Sequence, residues 1–564
     1  GDTVYLVVGH DVPGKRGYNM PDWQYFTTKD MKTWTHGGWF MSPNQVPWYS
    51  DAYSAWASQM ITHKDTDGKT RYYFYYCTPD RNNNRTNRHS VGVAYSDYPN
   101  GMDENGNNAW QHPEKPLITE HMTGVSNIDP TVWVDKDENG IEHRYLMWGN
   151  TDCFICELDE DMISVKDING DGQITVAAQF DANGLPTDGD IKRITFDNLP
   201  DDPMAQEHRN GKLVYTEAPW LYRRQSADST LDEPKYEGKY YCFAAWGWGE
   251  KLGYATADTP WGPWTYENTI MESNLTSNTE HPSVIDFNGK TYLISHNGSL
   301  PGGNGGKRSV TVWEMDFNED GSVDIMEELS TGLWGKSSSI TARDGKYLGH
   351  DHVDGQLIGG EVIRDEGTVT LDIKAYDEKS GTDHDWEIVA GYSVPKNESA
   401  DNYVSIQAVN KPGYYITSED SGVTKLTHDR NADKGENMTY KTVAALDGKD
   451  GVSFESVKYP GQYLAVVDGE MITAKPYDFE ACSFNVETNK SGEPDDKQKA
   501  SVENVKEESG KITFTLKNME NEKKVTAYIA EYDANNTLAG VNMKEIAVNS
   551  SSENAEIDYA RKSP

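Results

Sequence analysis

The chain is poor in cysteine and in positive charge, and it has no long apolar run. Five cysteines among 564 residues are too few, and odd in number, for a disulfide framework. Cys153 and Cys156 form a C-x-x-C without a second pair at zinc-ligand spacing, so they read as two cysteines on a half-buried strand. No stretch of about 18 apolar residues occurs, and no membrane span is expected. Lysine and arginine number 52 against 91 aspartates and glutamates, a formal net charge of -39. That charge repels nucleic acid and anionic membranes and fits a soluble protein acting on a neutral substrate. No signal peptide is visible. The opening GDTVYL reads as a turn entering a strand, so something upstream is expected to have been removed.

Aromatic residues are plentiful, with 33 Tyr, 16 Trp and 13 Phe. Most are read as strand and core residues, although Tyr and Trp also stack on sugar faces. They recur in a pattern of a turn followed by an aromatic strand: GDTVYL at 1–6, DGKTRYYFYY at 67–76, NGIEHRYLMW at 139–148, EGKYYCFAAW at 237–246 and NGKTYLISH at 288–296. Glycine supplies the positive φ of a tight hairpin, and the residues after it favour strand. Ahead of all these turns but the first lies another short strand, starting near Trp56, Asp129, Glu217 and His281. Repetition of such units predicts a β-propeller with five blades, whose innermost strands converge on a central channel. The first unit lacks its entrance strand.

Two entrance strands begin with carboxylates, Asp129 in IDPTVWVD and Glu217 in TEAPWLY. Paired carboxylates in a concave, aromatic-lined site are what glycoside hydrolysis requires, one to protonate the leaving oxygen and another to activate water. Burial or a neighbouring like charge would keep one of them protonated near neutral pH. Taken singly, an Asp-Pro and a Glu-Ala-Pro also read as turns or strand ends.

The first 330 or so residues resemble glycoside hydrolase family 43, the inverting arabinofuranosidases and xylosidases. The likeness rests on GHD at 9–11, TTKDMKTW at 27–34, DAYSAWA at 51–57, IDPTVWVD at 128–135, TEAPWLY at 216–222, TADTPWGPWTY at 256–266, EHPSV at 280–284 and RSVTVWEM at 308–315. It implies Glu217 as general acid and Asp129 as the acidic residue that orients it and raises its pKa. By the same resemblance His281 is an axial histidine, in some members beside a bound cation, and a hydrogen-bonded core histidine is its plain alternative. Arg308 is implied to reach substrate hydroxyls, Trp56 to stack on the sugar, and His10 and Asp11 to lie near the pocket. The general base of the family, an Asp on the first entrance strand, is not in this sequence. No cofactor is required. A structural Ca2+ is the one candidate ion, at His281 or at the loop DINGDGQI (167–174), which copies half of an EF-hand but has Ala178 at the twelfth position and also reads as a plain Asx turn.

After the propeller, VSIQAVNKPGYYI at 404–416 and VSFESVKYPGQYL at 452–464 are copies, with a divergent third ending at Leu348. Three units predict a β-trefoil, and VSFESVKYPGQYL resembles the arabinofuranose-binding module, carbohydrate-binding family 42. Asp354, Asp420 and Asp468 are its sugar-binding candidates; a structural appendage is the alternative. The predicted all-β organisation is a propeller at 1–335, a trefoil at 336–490, a linker at 491–500, a small immunoglobulin-like sandwich at 501–555 and a disordered tail at 556–564. The expected activity is an exo-acting, inverting α-L-arabinofuranosidase on plant cell-wall polysaccharide, secreted or at the cell surface. A β-xylosidase or dual-activity enzyme, and a non-catalytic carbohydrate-binding protein, are the alternatives.

Overall fold

The computed structural model describes residues 2–12, 18–65, 67–81, 88–137, 139–202, 211–226, 229–230, 234–247, 249–273, 277, 279–300, 303–333, 335–351, 357–358, 361–362, 370–376, 381–420, 422–428, 432–489, 501–508, 511–517, 524–532, 538–547 and 552–558. The chain is all-β and forms two compact units, residues 1–489 and 490–564. Among the described residues no helix is long and apolar enough to cross a membrane.

Five sheets follow one another through the first 315 residues. The first contains β1 (Val4–Gly9), β2 (Trp23–Thr28) and β3 (Thr35–Met41). The second contains β4 (Ser58–Lys64), β5 (Thr70–Pro79) and β6 (His89–Ser96). In the third, β7 (Thr131–Lys136), β8 (Glu142–Trp148), β9 (Cys153–Glu157) and β10 (Lys192–Ile194) pair in sequence order. The fourth joins β11 (Phe196–Asp197) in parallel to the meander of β12 (Tyr215–Gln225), β13 (Tyr236–Trp246), β14 (Lys251–Ala257) and β15 (Trp264–Met271). The fifth contains β16 (Ser283–Phe287), β17 (Lys290–Asn297) and β18 (Ser309–Met315).

The aromatic strands are buried on both faces, and their period of two divides them between adjacent cores. On β5, Tyr73 and Tyr75 face the third sheet while Phe74 and Tyr76 face the first. On β13, Tyr240, Cys242, Ala244 and Trp246 pack toward the third sheet, and Tyr241 and Phe243 toward the fifth. Cys153 and Cys156 divide in the same way as buried strand residues, as expected from their spacing. A last core of Met31, Tyr292 and Ile294, with Val4, Leu6 and Val312 against it, packs the fifth sheet on the first. Turn chemistry is local: Asn288 (φ 52°) and Gly289 (φ 76°) close the two-residue hairpin between β16 and β17, a type I′ turn needing positive φ at both positions.

Residues 337–489 surround one core built from Ile340, Trp386, Ile406, Ile416, Phe454 and Phe484 among others. The sequence copies lie in register-equivalent hairpins, Tyr403–Ala408 with Tyr414–Ser418 and Val452–Ser456 with Tyr463–Val467.

In the second unit, strands Ser501–Glu508, Lys511–Lys517 and Ser552–Asp558 form one sheet, and Lys524–Tyr532 pairs with Leu538–Ala547. The expected disordered tail at 556–564 therefore begins too early: residues 556–558 complete a strand paired to Lys511–Lys517, and Ile557 enters the core with Phe514 and Leu516. The linker at 491–500 and the rest of the tail lie outside the described residues.

Candidate active site

Backbone irregularity places the two carboxylates. Asp129, just ahead of β7, has φ of 59°, and Ala218, which follows Glu217 inside β12, has φ of 58°. Non-glycine residues in this region are strained, and such strain clusters at functional sites. The β12–β13 register shifts on both sides of Glu217, as a bulge does when it re-aims a side chain. The Ala218 amide donates to Asp129 Oδ2 at 3.1 Å, so one carboxylate holds the bulge that carries the other.

Glu217 is held at both oxygens. His281, just ahead of β16, brings Nε2 to 3.4 Å from Glu217 Oε1, and Asn150 Nδ2 donates to Oε2. Asp129 and Glu217 are buried, at 4% and 7% exposure. Ligand atoms of Asp129, Glu217 and His281 lie within 4.8 Å of one another, close enough for one cation to bridge.

Charge is distributed unequally over this cluster. Burial, reinforced by Glu217, pushes the Asp129 carboxyl up to about 7 against the pull of His281. Burial also acts on Glu217, but His281, Asn150 and Arg308 outweigh it and hold this carboxyl below its ordinary value. Burial works against the His281 imidazolium, yet Asp129 and Glu217 overcome it and raise His281. These influences favour a proton on Asp129 and on His281 over one on Glu217. The resemblance implies a raised value for Glu217, and the His281 and Asn150 contacts act in the opposite direction. Glu250 adds a further buried carboxyl, which burial and Glu217 push well up and whose Oε2 accepts from the Glu280 amide at 2.8 Å.

A cavity of about 800 Å3 opens over Asp129, Glu217 and His281, with Asp11, Trp56, Asn150 and Arg308 also on its wall. All of β1 lines it as well. Trp56 stands on the wall with His89 stacked on its ring at 4.1 Å, and its Nε1 donates to the Tyr18 carbonyl. Arg308 reaches the wall too, but its donors go largely to Asp11 and Thr279. His10 does not line the cavity and instead lies 3.2 Å from Asp22 on the surface.

The other candidates are scattered. Asp354 lies outside the described residues. Asp420 accepts from the Tyr459 hydroxyl. Asp468 (φ 53°) and Gly469 (φ 86°) make a two-residue hairpin turn, which accounts for an Asp there. In the half EF-hand, Asp167 accepts from the Gly170 and Gly172 amides and Asn169 from the Asp171 amide, the Asx-turn pattern.

Sequence reasoning missed Asn150, Glu250 and Gln59, whose Oε1 accepts from the Val132 amide beside Asp129. Asn150 and Glu250 follow aromatic strands at positions that look like turn residues. Only the approach of β12 and of the residues ahead of β16 gives them partners.

Residues 1–323 match the family profile described as glycosyl hydrolases family 43, and residues 360–488 that of the alpha-L-arabinofuranosidase B domain. A xylosidase/arabinosidase of Bacteroides ovatus is 26% identical over 338 residues, covering 55% of this chain and 85% of that protein. Xylosidase/arabinosidase 43A of Humicola insolens is 28% identical over 318 residues, covering 54% and 85%. Among solved structures, a family 43 β-xylosidase/α-arabinofuranosidase from a compost metagenome aligns at 22% identity and TM-score 0.41, covering 58% of this chain and 91% of that one.

Proposed function

Because the chain belongs to glycosyl hydrolase family 43 through residues 1–323, we propose that its cavity removes a terminal α-L-arabinofuranosyl residue from a neutral polysaccharide by an inverting mechanism. The observation that carries this reading is Glu217, a buried carboxyl on the cavity wall held at both oxygens by His281 and Asn150. A fixed carboxyl can present its proton to the departing glycosidic oxygen without reorganising. His281, which its carboxylate neighbours push up, lies 3.4 Å from Glu217 and can return a proton to it between turnovers. Trp56 would stack against the sugar, and Asp11 with Arg308, which meets Trp56 through Tyr18, would shape the adjoining wall.

The reading includes a five-bladed propeller, supported by five successive sheets with a shared core between each neighbouring pair and between the last and the first. A trefoil at 336–490 and an immunoglobulin-like sandwich after it belong to the same proposal. In this reading the water-activating carboxylate would stand beside β1, which lines the cavity along its whole length. Should a structural Ca2+ bind, the carboxylate oxygens of Asp129 and Glu217 would hold it, with the His281 ring nitrogen beside them as a donor this oxygen-preferring ion favours less. Its charge would favour ionised carboxyls, so an ion there and a proton on Glu217 exclude one another.

Arabinose is placed ahead of xylose because of the alpha-L-arabinofuranosidase B match at 360–488, and β-xylosidase activity is the second reading. A panel of nitrophenyl arabinofuranoside, xyloside and galactoside, given to the full chain and to Glu217→Gln, tests both. Release from the arabinofuranoside that disappears in the variant supports the proposal. No release from any substrate with Glu217 intact leaves the carbohydrate-binding alternative.

A further inference from the structure

Beyond the cavity, the first sheet carries an ordered row of polar side chains beside an exposed tryptophan. His10 follows β1 and adjoins Asp11, which lines the cavity. Its Nδ1 lies 3.2 Å from Asp22 Oδ1, just ahead of β2. Gln24 Nε2 donates to the same Asp22 oxygen at 3.0 Å, and Gln24 Oε1 lies 2.8 Å from His36 Nε2 on β3. Both ends of the Gln24 amide are therefore committed, and its plane is set. Trp39 stands directly opposite Gln24 in the β2–β3 register, so the two share a face of the sheet. Trp39 is 55% exposed, and the His10 side chain 44%.

More than half of the Trp39 side chain faces solvent, whereas Trp23 and Phe40 of the same sheet are buried, Tyr25 and Phe26 are half-buried, and Tyr5 on β1 is exposed to a smaller degree, at 38%. A flat ring beside an amide, a carboxylate and two imidazoles of set geometry suits a sugar, whose apolar ring face stacks while its hydroxyls meet planar polar groups. Across three strands the row extends roughly 10 Å from the cavity wall, more than one monosaccharide needs. With one carboxylate and no lysine or arginine, the row offers nothing to an anionic polymer.

The geometry points to a second carbohydrate site, formed by Asp22, Gln24, His36 and Trp39, that binds the uncleaved backbone of the polysaccharide whose side-chain sugar enters the cavity. This rests on the glycosidase reading for the identity of the polymer, not for the existence of the site. The ligand is an unbranched run of neutral pyranose units, for which xylohexaose is the probe.

Calorimetric titration of xylohexaose into the full chain carrying Glu217→Gln, which prevents turnover, tests the site. Trp39→Ala is expected to weaken binding about tenfold, Trp39→Phe to restore most of it, and Gln24→Ala to weaken it separately. Trp39 and Gln24 lie at the surface, and circular dichroism reports whether the variants keep the parent fold. Affinity unchanged in both Trp39→Ala and Gln24→Ala overturns the site, as does a parent protein that binds xylohexaose no better than xylose. The glycosidase reading is judged separately, from nitrophenyl glycoside cleavage by the chain with Glu217 intact. Either can therefore fail while the other stands.

Discussion

Arg308 and Asp11, 297 residues apart, form a two-pronged ion pair in which Nε and Nη2 of the arginine reach the two carboxylate oxygens at 3.1 and 3.0 Å, while the Arg308 amide adds a third bond at 2.8 Å. The pair ties the end of β1 to the start of β18, the same two sheets that share the core around Tyr292 and Ile294. Both side chains are largely buried, at 12% and 11% exposure. Asp11→Asn is expected to destabilise the chain by about 3–5 kcal/mol, because it strands a buried guanidinium. The double change Asp11→Leu with Arg308→Met should cost less than the sum of the single changes. Urea unfolding of the four proteins reads the coupling, and additive effects would count against the clasp.

Glu217→Gln should slow glycoside cleavage by about 10²–10⁴-fold, the usual contribution of a positioned proton donor, with circular dichroism reporting that the variant keeps the parent fold. Asn150→Ala should act on the same step more mildly, on the order of tenfold, since it removes one hydrogen bond to a charged group. Its effect is expected in kcat more than in KM, and steady-state kinetics on a nitrophenyl glycoside separates the two.

Stability should depend on pH through Asp129. Its folded value of about 7 lies above the ordinary 3.8, so the folded state holds a proton that the unfolded chain gives up. The stabilisation from that proton is fully present below about pH 4 and is lost as the pH rises through about 7. Asp129→Asn removes this ionisation. Chemical denaturation at several pH values should therefore show a flatter decline between pH 4 and 7 in the variant, and an equal slope in both proteins would refute the assignment.

Ca2+ binding, if it occurs at the Asp129–Glu217–His281 cluster, must compete with the protons held there. Saturating Ca2+ should then raise the melting temperature more at pH 8 than at pH 5, by the linkage that stabilises any state a ligand prefers. A thermal shift of equal size at both values would place the ion elsewhere.

The junction between the propeller-like sheets and the following strands is polar. Asn410 donates to Glu327 at 3.1 Å and to Asp383 at 2.7 Å, and its Oδ1 lies 2.9 Å from Nε2 of the buried His350. Asn410→Ala should cost about 1–3 kcal/mol, the usual penalty for leaving a buried polar partner, here His350, unmatched. The difference is measurable in the same urea assay.

The sequence alone was sufficient for what short-range chemistry and repetition determine. Asn288–Gly289 was recognisable as a hairpin turn, and the Tyr and Phe runs of β5 and β13 as strands, because positive φ and a period of two are local properties. The cues for Asp129 and Glu217 were equally local, since each opens a repeated strand. The limits appear where a local cue serves two ends: Asp468 has the composition of a ligand and also the geometry of a turn. Residues 556–558 look like a polar tail until the strand Lys511–Lys517 pairs with them.

Tertiary structure decided the electrostatics and the partnerships. Glu217 is held below its ordinary value and Asp129 pushed above its own because folding sets His281 3.4 Å from one and buries the other, and a burial penalty or a Coulomb energy depends on distances that no local sequence pattern carries. Asn150 became part of the site, and Arg308 was joined to Asp11, only when strands far apart in sequence met. Strand identity follows from neighbours along the chain, whereas the charge state and reach of a site residue follow from neighbours in space.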